Sequence, residues 1–341
     1  MTEKKNFMNK RISVIIPNYN GSSTIGRCLE AAFSSEYDNF EVIVTDDCSA
    51  DNSAAIIKKF PCKLIPLDKH SGASRARNAG AENSSGEILF FIDADCLLQK
   101  NTIASVNKAF LISENAIVGG TYTVIPYDKD FFSTFQSIFI NYSETKKEPP
   151  DYIPTHAMVI ARDIFMKSGG FKENFLPILE DVEFSHRLRK MGYKLTMNPE
   201  ILVRHIFNFT LIKSLKNAFR KSMYWTIYSL KNKDLLTDSG TASTELKVNG
   251  ISCLLTVLFI FLGLVSGRPS FLVFIPLIFG FNIVINRNLL LAFYKTKLAL
   301  FAVSATLYYT LAYPLAVWAG VLGGALKYFW KYKGSFKTYC L

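Results

Sequence analysis

Two short groups of acidic residues carry the clearest chemistry in this sequence. Asp46 and Asp47 are adjacent, and Asp93 and Asp95 are separated by one residue. Carboxylate oxygens with open coordination positions suit Mg²⁺ or Mn²⁺, which in turn bind phosphate groups. Each group also has an ordinary alternative. The turn after Asp46 and Asp47 could simply begin a helix that Ser49 or Asp51 caps. Asp93 could cap the following helix, and Asp95 could face solvent. The position of these residues in the fold must therefore decide between a cation site and simple turns.

Apolar runs typical of buried strands precede both acidic groups. EVIVT ends before Asp46, EILFFI ends before Asp93, and a similar run, RISVIIP, ends before Asn18. Segments with helical spacing alternate with these runs, which indicates an α/β domain with a mostly parallel sheet. Ligands of such sheets bind at the carboxyl ends of the strands. The predicted strands are residues 11–17, 41–45, 63–66 and 87–92, and the predicted helices are residues 23–33, 54–60 and 74–81.

No glycine-rich phosphate loop accompanies the acidic residues. The first strand is not followed by GxGxxG, and GxxxxGK[ST] occurs nowhere in the chain. An acidic edge of the sheet suggests instead that phosphates are held through a divalent cation.

The order of these motifs resembles that of the family 2 glycosyltransferases of GT-A fold. PNYNG follows the first strand, a DDxS turn follows the second, and an SGxSRARNAG helix precedes a strand that ends in DAD. Further along, Gly169-Gly170-Phe171 and the segment LEDVEF resemble the same family's GGF…(E)D pattern. The resemblance covers roughly residues 11–205, and the ordered set is far more specific than any one motif.

This resemblance implies a nucleotide-sugar donor, UDP- or GDP-linked, at the acidic edge. A carboxylate can accept the N–H of uracil or guanine, and a tyrosine ring can lie against the base. For the two arginines of the SRARNAG helix, which would face the phosphates or ribose, a solvated basic surface is the alternative. The implied donor-binding residues are Pro17, Tyr19, Asp46, Asp47, Arg75, Arg77 and Asp93.

The resemblance also implies a metal site and a catalytic base. Asp95 would bind Mn²⁺ or Mg²⁺ with Asp93, and His205 could add a further contact, although a structural histidine is the alternative. Asp181, preceded by Glu180, occupies the position of the general base in inverting relatives, where it would take a proton from the acceptor hydroxyl. A negative charge that stabilises a helix N-terminus is the other interpretation of this pair.

Three features depart from the family pattern. Cys48 replaces the usual glycine after the DD pair, and Thr155-His156-Ala157 stands where relatives often have small residues and an asparagine. The QxxRW segment of processive synthases is absent, because residues 217–225 read NAFRKSMYW. We therefore expect a single transfer rather than polymerisation.

The composition of the chain changes after about Lys247. Residues 248–267, 269–286 and 298–326 carry no charge, and about 20 apolar residues suffice to cross a bilayer. The chain as a whole has 49% hydrophobic residues, which excludes intrinsic disorder. We expect a GT-A catalytic domain at residues 1–206, an amphipathic interfacial helix and linker at 207–246, and a membrane module with two to four hydrophobic segments at 247–341.

Basic residues cluster near the apolar segments. Lys213, Lys216, Arg220 and Lys221 lie on the predicted amphipathic helix, and the net charge is +11. This pattern fits attraction to anionic lipid headgroups, and no nucleic-acid-binding module is visible. A packing helix with a solvated basic side is the alternative for residues 207–230.

The expected location is the inner cell membrane, with several spans and a cytoplasmic catalytic domain. The N-terminus lacks the features of a signal peptide, and the six cysteines are scattered without metal-type spacing. A third complete span would export the lysine-rich tail, against the positive-inside tendency. The last segment could instead be re-entrant or split near Pro314, or the tendency could fail here.

The functional prediction is an inverting glycosyltransferase that is attached to the membrane. It would use a nucleotide-sugar donor and a lipid-linked or membrane-proximal acceptor in glycan or cell-envelope biosynthesis. One alternative is an enzyme that loads a polyprenyl phosphate, whose anionic acceptor needs no base. A second is a non-catalytic membrane binding protein of the same fold.

Overall fold

The computed structural model of the chain describes residues 9–332, with the exceptions of Glu114 and Leu236. It divides into two compact units. Unit 1 contains the described residues up to Asp128 together with Glu144–Phe207, and unit 2 contains Lys129–Ser143 and the described residues from Asn208 onward. The end of the lysine-rich tail, residues 333–341, lies outside the described part of the chain.

Unit 1 is built on an eight-stranded mixed sheet with the strand order β3-β2-β1-β4-β7-β6-β8-β5. Strands β1 to β4 form a parallel set, whereas β7 pairs antiparallel with both β4 and β6, and β5 pairs antiparallel with β8. The β6–β8 pair is parallel. The strands are β1 Ile12–Asn18, β2 Phe40–Asp46, β3 Lys63–Pro66, β4 Ile88–Phe91, β5 Cys96–Leu98, β6 Ala116–Tyr122, β7 Met158–Ala161 and β8 Lys194–His205.

Helices alternate with the parallel strands, which confirms the predicted α/β architecture. The first three helices agree closely with the periodicity of the sequence. In chain order up to β8, the helices are α1 Ile25–Phe33, α2 Ser53–Ile57, α3 Ala73–Glu82, α4 Thr102–Ile112, α5 Phe131–Thr145, α6 Arg162–Lys167 and α7 Glu180–Lys190. A 3₁₀ turn at Thr155–Ala157 precedes β7. Most of α5 belongs to unit 2.

Helix α3 lies unusually close to the sheet at Gly80. A Cβ atom built on this glycine would lie 2.5 Å from the Cγ2 of Ile15 in β1 and 3.2 Å from the Oγ1 of Thr45 in β2. Only glycine allows this approach without a shift of the backbone. Gly80, in the NAG part of the SRARNAG motif, therefore allows α3 to pack closely against the first two strands.

Unit 2 is helical. Its remaining helices are α8 Leu211–Asn232, α9 Thr244–Ser266, α10 Phe274–Leu307 and α11 Tyr313–Lys327. A 3₁₀ turn at Pro269–Val273 joins α9 to α10, and a π-helical turn at Tyr308–Ala312 leads into α11. Leu298 has φ 63° and ψ −171°, so α10 is broken at the point where the third charge-free segment begins.

Two helical stretches of unit 2 are long and apolar enough to cross a membrane. They are Thr244–Ser266, with a mean hydropathy of 2.4, and Pro269–Trp330, with a mean hydropathy of 1.9. The second contains the break at Leu298 and the π-helical turn, and it includes both later charge-free segments. Their length and composition alone distinguish these two stretches.

Candidate active site

Arg77 bridges two acidic residues, Asp93 and Glu180, that are far apart in the sequence. Its guanidinium lies 2.6 Å from the Oδ1 of Asp93, just after β4, and 2.7 Å from the Oε1 of Glu180, the first residue of α7. The side chain of Arg77 is only 4% exposed. Burial lowers the pKa of this guanidinium, but the two carboxylates outweigh it and raise the pKa above its usual value. The pair of ion bridges therefore brings the end of β4 and the start of α7 to one place.

Asp181 follows Glu180 in the first turn of α7. Burial raises the pKa of its carboxyl to about 7, and the charge of Glu180 adds to the shift, against the opposing effects of the Val182 amide, Arg77 and His156. The Val182 N–H donates a hydrogen bond of 2.9 Å to its Oδ1. A carboxyl group that titrates near neutral pH can both accept and release a proton during a reaction.

The GGF motif holds α7 against α3. Gly170 has φ 64°, and a Cβ there would lie 2.6 Å from the Oδ1 of Asn78. Asn78 donates through Nδ2 to the carbonyl of Phe171 at 2.8 Å and accepts from its N–H at 2.9 Å. Arg187 of α7 donates to the carbonyls of Ser168 and Gly170. Two motifs that are distant in sequence are therefore one hydrogen-bonded clamp.

Asp95 and His205 belong to a group of side chains that is compact enough to hold a metal ion. Their ligand atoms and the Sγ of Cys96 all lie within 4.8 Å of one another, and the Oδ1 of Asp95 is 3.3 Å from the Nε2 of His205. The β5–β8 ladder creates this group, because Cys96 pairs directly with His205. Burial raises the pKa of the Cys96 thiol well above its usual value, so the thiol stays protonated and is a poor ligand.

The carboxyl groups of Asp93 and Asp95 differ in the direction of their pKa shifts. Burial raises the pKa of both carboxyl groups. For Asp93 burial is the largest single effect, but the charge and hydrogen bond of Arg77 together with the charges of His156 and His205 outweigh it, so the pKa is lowered below its ordinary value. For Asp95 burial dominates over the charge of His205, and the pKa is raised. Asp93 is thus held as a carboxylate by the protein itself, whereas Asp95 lacks a comparable cation.

Asp46 and Asp47 bind the loops that surround them. Asp46 accepts hydrogen bonds from the Nδ2 of Asn18 at 2.7 Å and the Oγ of Ser49 at 2.6 Å. Asp47 accepts from the N–H groups of Ser71 at 2.7 Å and Gly72 at 2.8 Å. These contacts fix the turn after β2 and the start of α3, and the predicted base contacts of both carboxylates remain a prediction.

Tyr19 stands beside Asp47 and is half exposed. Its ring stacks on that of His70 with the centroids 4.0 Å apart, and the Nδ1 of His70 lies 2.9 Å from the Oδ2 of Asp47. Pro17 lies in β1 opposite Thr45 of β2, so Pro17 and Tyr19, which follows the end of β1, are at the same edge of the sheet as Asp47. A flat base could stack at this surface in the way the two rings stack on each other.

Arg75 and Arg77 point to different surroundings. Arg75 pairs with Glu82 at 3.2 Å and with Glu173 at 3.4 Å, and all three side chains are substantially exposed. The structure therefore places Arg77 between Asp93 and Glu180 and places Arg75 in a network of ion pairs at the surface. The predicted donor contact of Arg75 stays a prediction.

Two histidines near the site were not among the predicted site residues. His156 stacks on Tyr122 with the ring centroids 3.9 Å apart, and its Nε2 is 3.4 Å from the Oε2 of Glu144. Its charge opposes the raised pKa of Asp181, so it stands close to the proposed base. The only signal in the sequence was the departure at Thr155-His156-Ala157. For His70, which lies in a loop, there was no signal.

Cys48 adopts the backbone conformation that a glycine would favour. Its φ is 60°, in the left-handed region. The turn after the DD pair thus keeps a left-handed residue at this position although a side chain is present.

Comparisons with known proteins agree with this geometry. Residues 13–173 match the family described as Glycosyl transferase family 2. The chain is 29% identical over 205 residues to glycosyltransferase AglE of Haloferax volcanii, covering 57% of this chain and 66% of AglE. It is 29% identical over 117 residues to the UDP-Glc:alpha-D-GlcNAc-diphosphoundecaprenol beta-1,3-glucosyltransferase WfgD of Escherichia coli, covering 33% of this chain and 46% of WfgD. The matched regions therefore span less than two thirds of these relatives.

A solved structure shows the same fold. The mannosyltransferase PcManGT from Pyrobaculum calidifontis, in complex with GDP-Man and Mn²⁺, aligns with a TM-score of 0.57 at 15% identity, over 95% of this chain and 88% of that chain. The family match and the relatives confirm the resemblance read from the motifs, and the structural neighbour confirms the GT-A fold. Residues 13–173, just under half of the chain, are therefore a family 2 glycosyltransferase domain.

Proposed function

We propose that this chain is a membrane-attached inverting glycosyltransferase. It would move a sugar from a nucleotide-sugar donor to a lipid-linked or membrane-proximal acceptor in glycan or cell-envelope biosynthesis. The observation that carries the proposal is Asp181, a carboxyl group with a pKa raised to about 7 that adjoins the Glu180–Arg77–Asp93 bridge. This arrangement sets a base of suitable strength beside the residues proposed for the donor.

The donor set fits a nucleoside diphosphate. The Nε of Arg77 is buried and has no hydrogen-bond partner within the described residues, so its N–H is left to donate a hydrogen bond to an anionic oxygen of the substrate. Asp95 and His205 would hold Mn²⁺ or Mg²⁺ with Asp93, and their oxygen and nitrogen atoms are ligands that such ions accept. When bound, the cation supplies positive charge that neutralises the developing charge of the leaving diphosphate.

The proposed reaction is a single displacement. The acceptor hydroxyl oxygen forms a bond to the anomeric carbon while the bond from that carbon to the diphosphate oxygen breaks. Asp181 accepts the hydroxyl proton, and the nucleoside diphosphate leaves with the electron pair. Attack from the face opposite the leaving group inverts the anomeric configuration. Glu180 acts beside Asp181, where its negative charge strengthens the base.

The acceptor is proposed to lie at a membrane for two reasons. Unit 2 carries two helical stretches that could cross a bilayer, and the excess of positive charge lies in the same part of the sequence, where residues 207–341 hold 15 Lys and Arg against 3 Asp and Glu. The name of the relative WfgD specifies an acceptor on diphosphoundecaprenol, a lipid. We place unit 1 on the cytoplasmic side of the inner cell membrane, in line with the scattered cysteines and the cations near the spans.

The experiment compares three variants of the full chain in detergent or membranes, with radiolabelled UDP- and GDP-sugars, a lipid-extract acceptor and Mn²⁺ or Mg²⁺. General-base catalysis contributes about 10²–10⁴-fold, so Asp181→Asn should lose roughly that factor in kcat and still bind the donor. Asp95→Asn should lose transfer and the response to added cation. Asp163→Asn, which removes an exposed carboxylate paired with Lys167, is the control that should retain activity.

The activities of these variants distinguish the proposed hydroxyl acceptor from a lipid-phosphate acceptor. Full transfer by Asp181→Asn and Asp95→Asn in excess chelator would contradict the proposal. A small effect of Asp181→Asn with a large effect of Asp95→Asn would instead favour a lipid phosphate as the acceptor, because a phosphate needs no base.

A further inference from the structure

We propose that the third apolar segment, residues 298–327, lies along the membrane surface beside α8 and does not cross the bilayer. Within the described residues, the chain would then cross as a single hairpin formed by α9 and the part of α10 before Leu298. We call α8 and residues 298–327 the surface pair. The inference rests on the membrane attachment in the proposed function, and it adds the topology and the lipid-facing surface.

The two helices of the surface pair pack so closely that the backbone of one contacts the backbone of the other. A Cβ atom built on Gly320 would overlap the Oγ of Ser222 and the carbonyl oxygen of Phe219, and one built on Gly324 would overlap the carbonyl oxygen of Met223. Small residues four positions apart allow two helices to approach this closely. The two helices must therefore share one environment along this contact.

The contacts run in the same order along both members of the pair. Ser214 of α8 receives a hydrogen bond of 2.8 Å from the hydroxyl of Tyr308. Further along, Ser222 faces Gly320, and Tyr224 lies under the Nζ of Lys327 at 5.1 Å. The helices are thus parallel neighbours from the π-helical turn to the end of α11.

Helix α8 is too strongly charged to lie in hydrocarbon. Lys213, Lys216, Arg220 and Lys221 all fall within the stretch that runs beside the middle of residues 298–327. Cations at the centre of a bilayer are costly and require pairing or a water-filled cavity. If residues 298–327 crossed the membrane, these four cations would have to enter it with them.

The exposure of side chains separates the surface pair from the hairpin. On residues 298–327 one stripe of large apolar side chains is exposed, and the buried residues lie on the other side of the helix. The exposed stripe consists of Leu300, Val303, Leu307, Leu311, Leu315, Leu322 and Leu326. In the half of the hairpin around its turn, by contrast, no residue from 253 to 281 is buried, and the buried residues of the hairpin lie nearer its two ends. One-sided exposure is typical of a helix lying in the interface, and exposure on all sides is typical of a span in lipid.

The charges at the ends of the segment agree with this placement. Lys295 and Lys297 precede it, and Lys327 closes it. A helix that lies in the interface keeps all three on one side, where anionic headgroups attract them. A crossing helix would carry Lys327 to the opposite side. The partner of this surface is therefore an anionic lipid leaflet.

Topology is tested with epitope tags on the full chain in sealed vesicles of known orientation. One tag precedes Met1, one is inserted at Arg268 in the turn of the hairpin, and one follows Leu341. We expect antibody to reach the two terminal tags from the same face and the Arg268 tag from the other face. A C-terminal tag on the same face as the Arg268 tag, opposite the N-terminal tag, overturns the proposal.

Depth provides a second measurement. A fluorescent amino acid is placed at Leu307, Leu315 or Leu322 in turn, with Leu258 of α9 as the reference, and is quenched by lipids brominated at different chain depths. The surface pair predicts the same shallow depth at all three positions and a deeper reference. A label at Leu315 that is as deep as the one at Leu258, and deeper than its two neighbours, refutes the inference. If all three tags lie on one face while the three depths remain equal and shallow, the crossing by the hairpin fails and the surface placement stands.

Discussion

Replacing Arg77 by methionine removes the cation that holds two carboxylates in the interior of unit 1. Methionine keeps much of the apolar length of the side chain, so the loss is mainly electrostatic. Breaking a buried ion pair by removing one partner costs about 3–5 kcal/mol, and the 32% exposure of the Asp93 side chain favours the lower end. Because about 1 kcal/mol shifts the Tm of a domain of this size by roughly 2–4 °C, we expect Tm to fall by about 6–12 °C.

The assay is thermal unfolding of the full chain in detergent, with Arg75→Met as the matched control. Arg75 lies two residues away on the same helix, but its partners Glu82 and Glu173 are exposed, and surface pairs contribute about 0–1 kcal/mol. The double variant Arg77→Met/Glu180→Gln should recover part of the loss, because one uncompensated charge is gone. Equal Tm values for Arg77→Met and Arg75→Met would refute the reasoning that Arg77 is a buried bridge.

Three further results are expected. Transfer should rise with pH through about 7 as Asp181 ionises. Because the pKa of Asp181 is raised in the folded protein, its charge destabilises the fold, so Asp181→Asn should increase Tm fully above pH 7 and progressively less from pH 7 down to pH 4. A Tm difference that does not change with pH would speak against burial of this charge. Cys48→Gly should keep or raise Tm, since a left-handed non-glycine residue costs about 1–2 kcal/mol, whereas a lower Tm than that of Cys48→Ala would show that the turn is unstrained. Gly320→Ala should destabilise the detergent-solubilised chain by about 1–3 kcal/mol through overpacking, while Gly323→Ala, whose Cβ meets its nearest neighbour at 3.6 Å, should not; equal Tm values would contradict the close packing of α8 on α11.

The first half of unit 1 could be predicted closely because its signals are local. Apolar runs that end in Asn18, Asp46 and Asp93 marked β1, β2 and β4, and the parallel order of these strands put their ends at one edge. The gathering of Asp46, Asp47, Asp93 and Asp95 at one edge of the sheet could therefore be predicted from the order of these strands alone. In this part of the chain, hydrophobic periodicity and tertiary structure agree.

The remainder depends on contacts between residues that are distant in the sequence. Arg75 and Arg77 are two positions apart on α3 and therefore face different sides, and no pattern in the sequence indicates which side meets Glu180. Likewise, the apolar face of α5 does not reveal its partners. Phe135 packs against Phe293 and Tyr308, which explains why this helix belongs to unit 2 although it interrupts the chain of unit 1.

The clamp between α3 and the GGF motif has a consequence for recombining such enzymes. Arg77 and Asn78 are consecutive, and the first fixes Glu180 while the second fixes Phe171. A crossover point placed between α3 and α7 would join halves that have not been matched at these two positions. Chimaeras designed to exchange acceptor preference should therefore inherit α3, the GGF loop and α7 from the same parent, with the junctions outside residues 72–190.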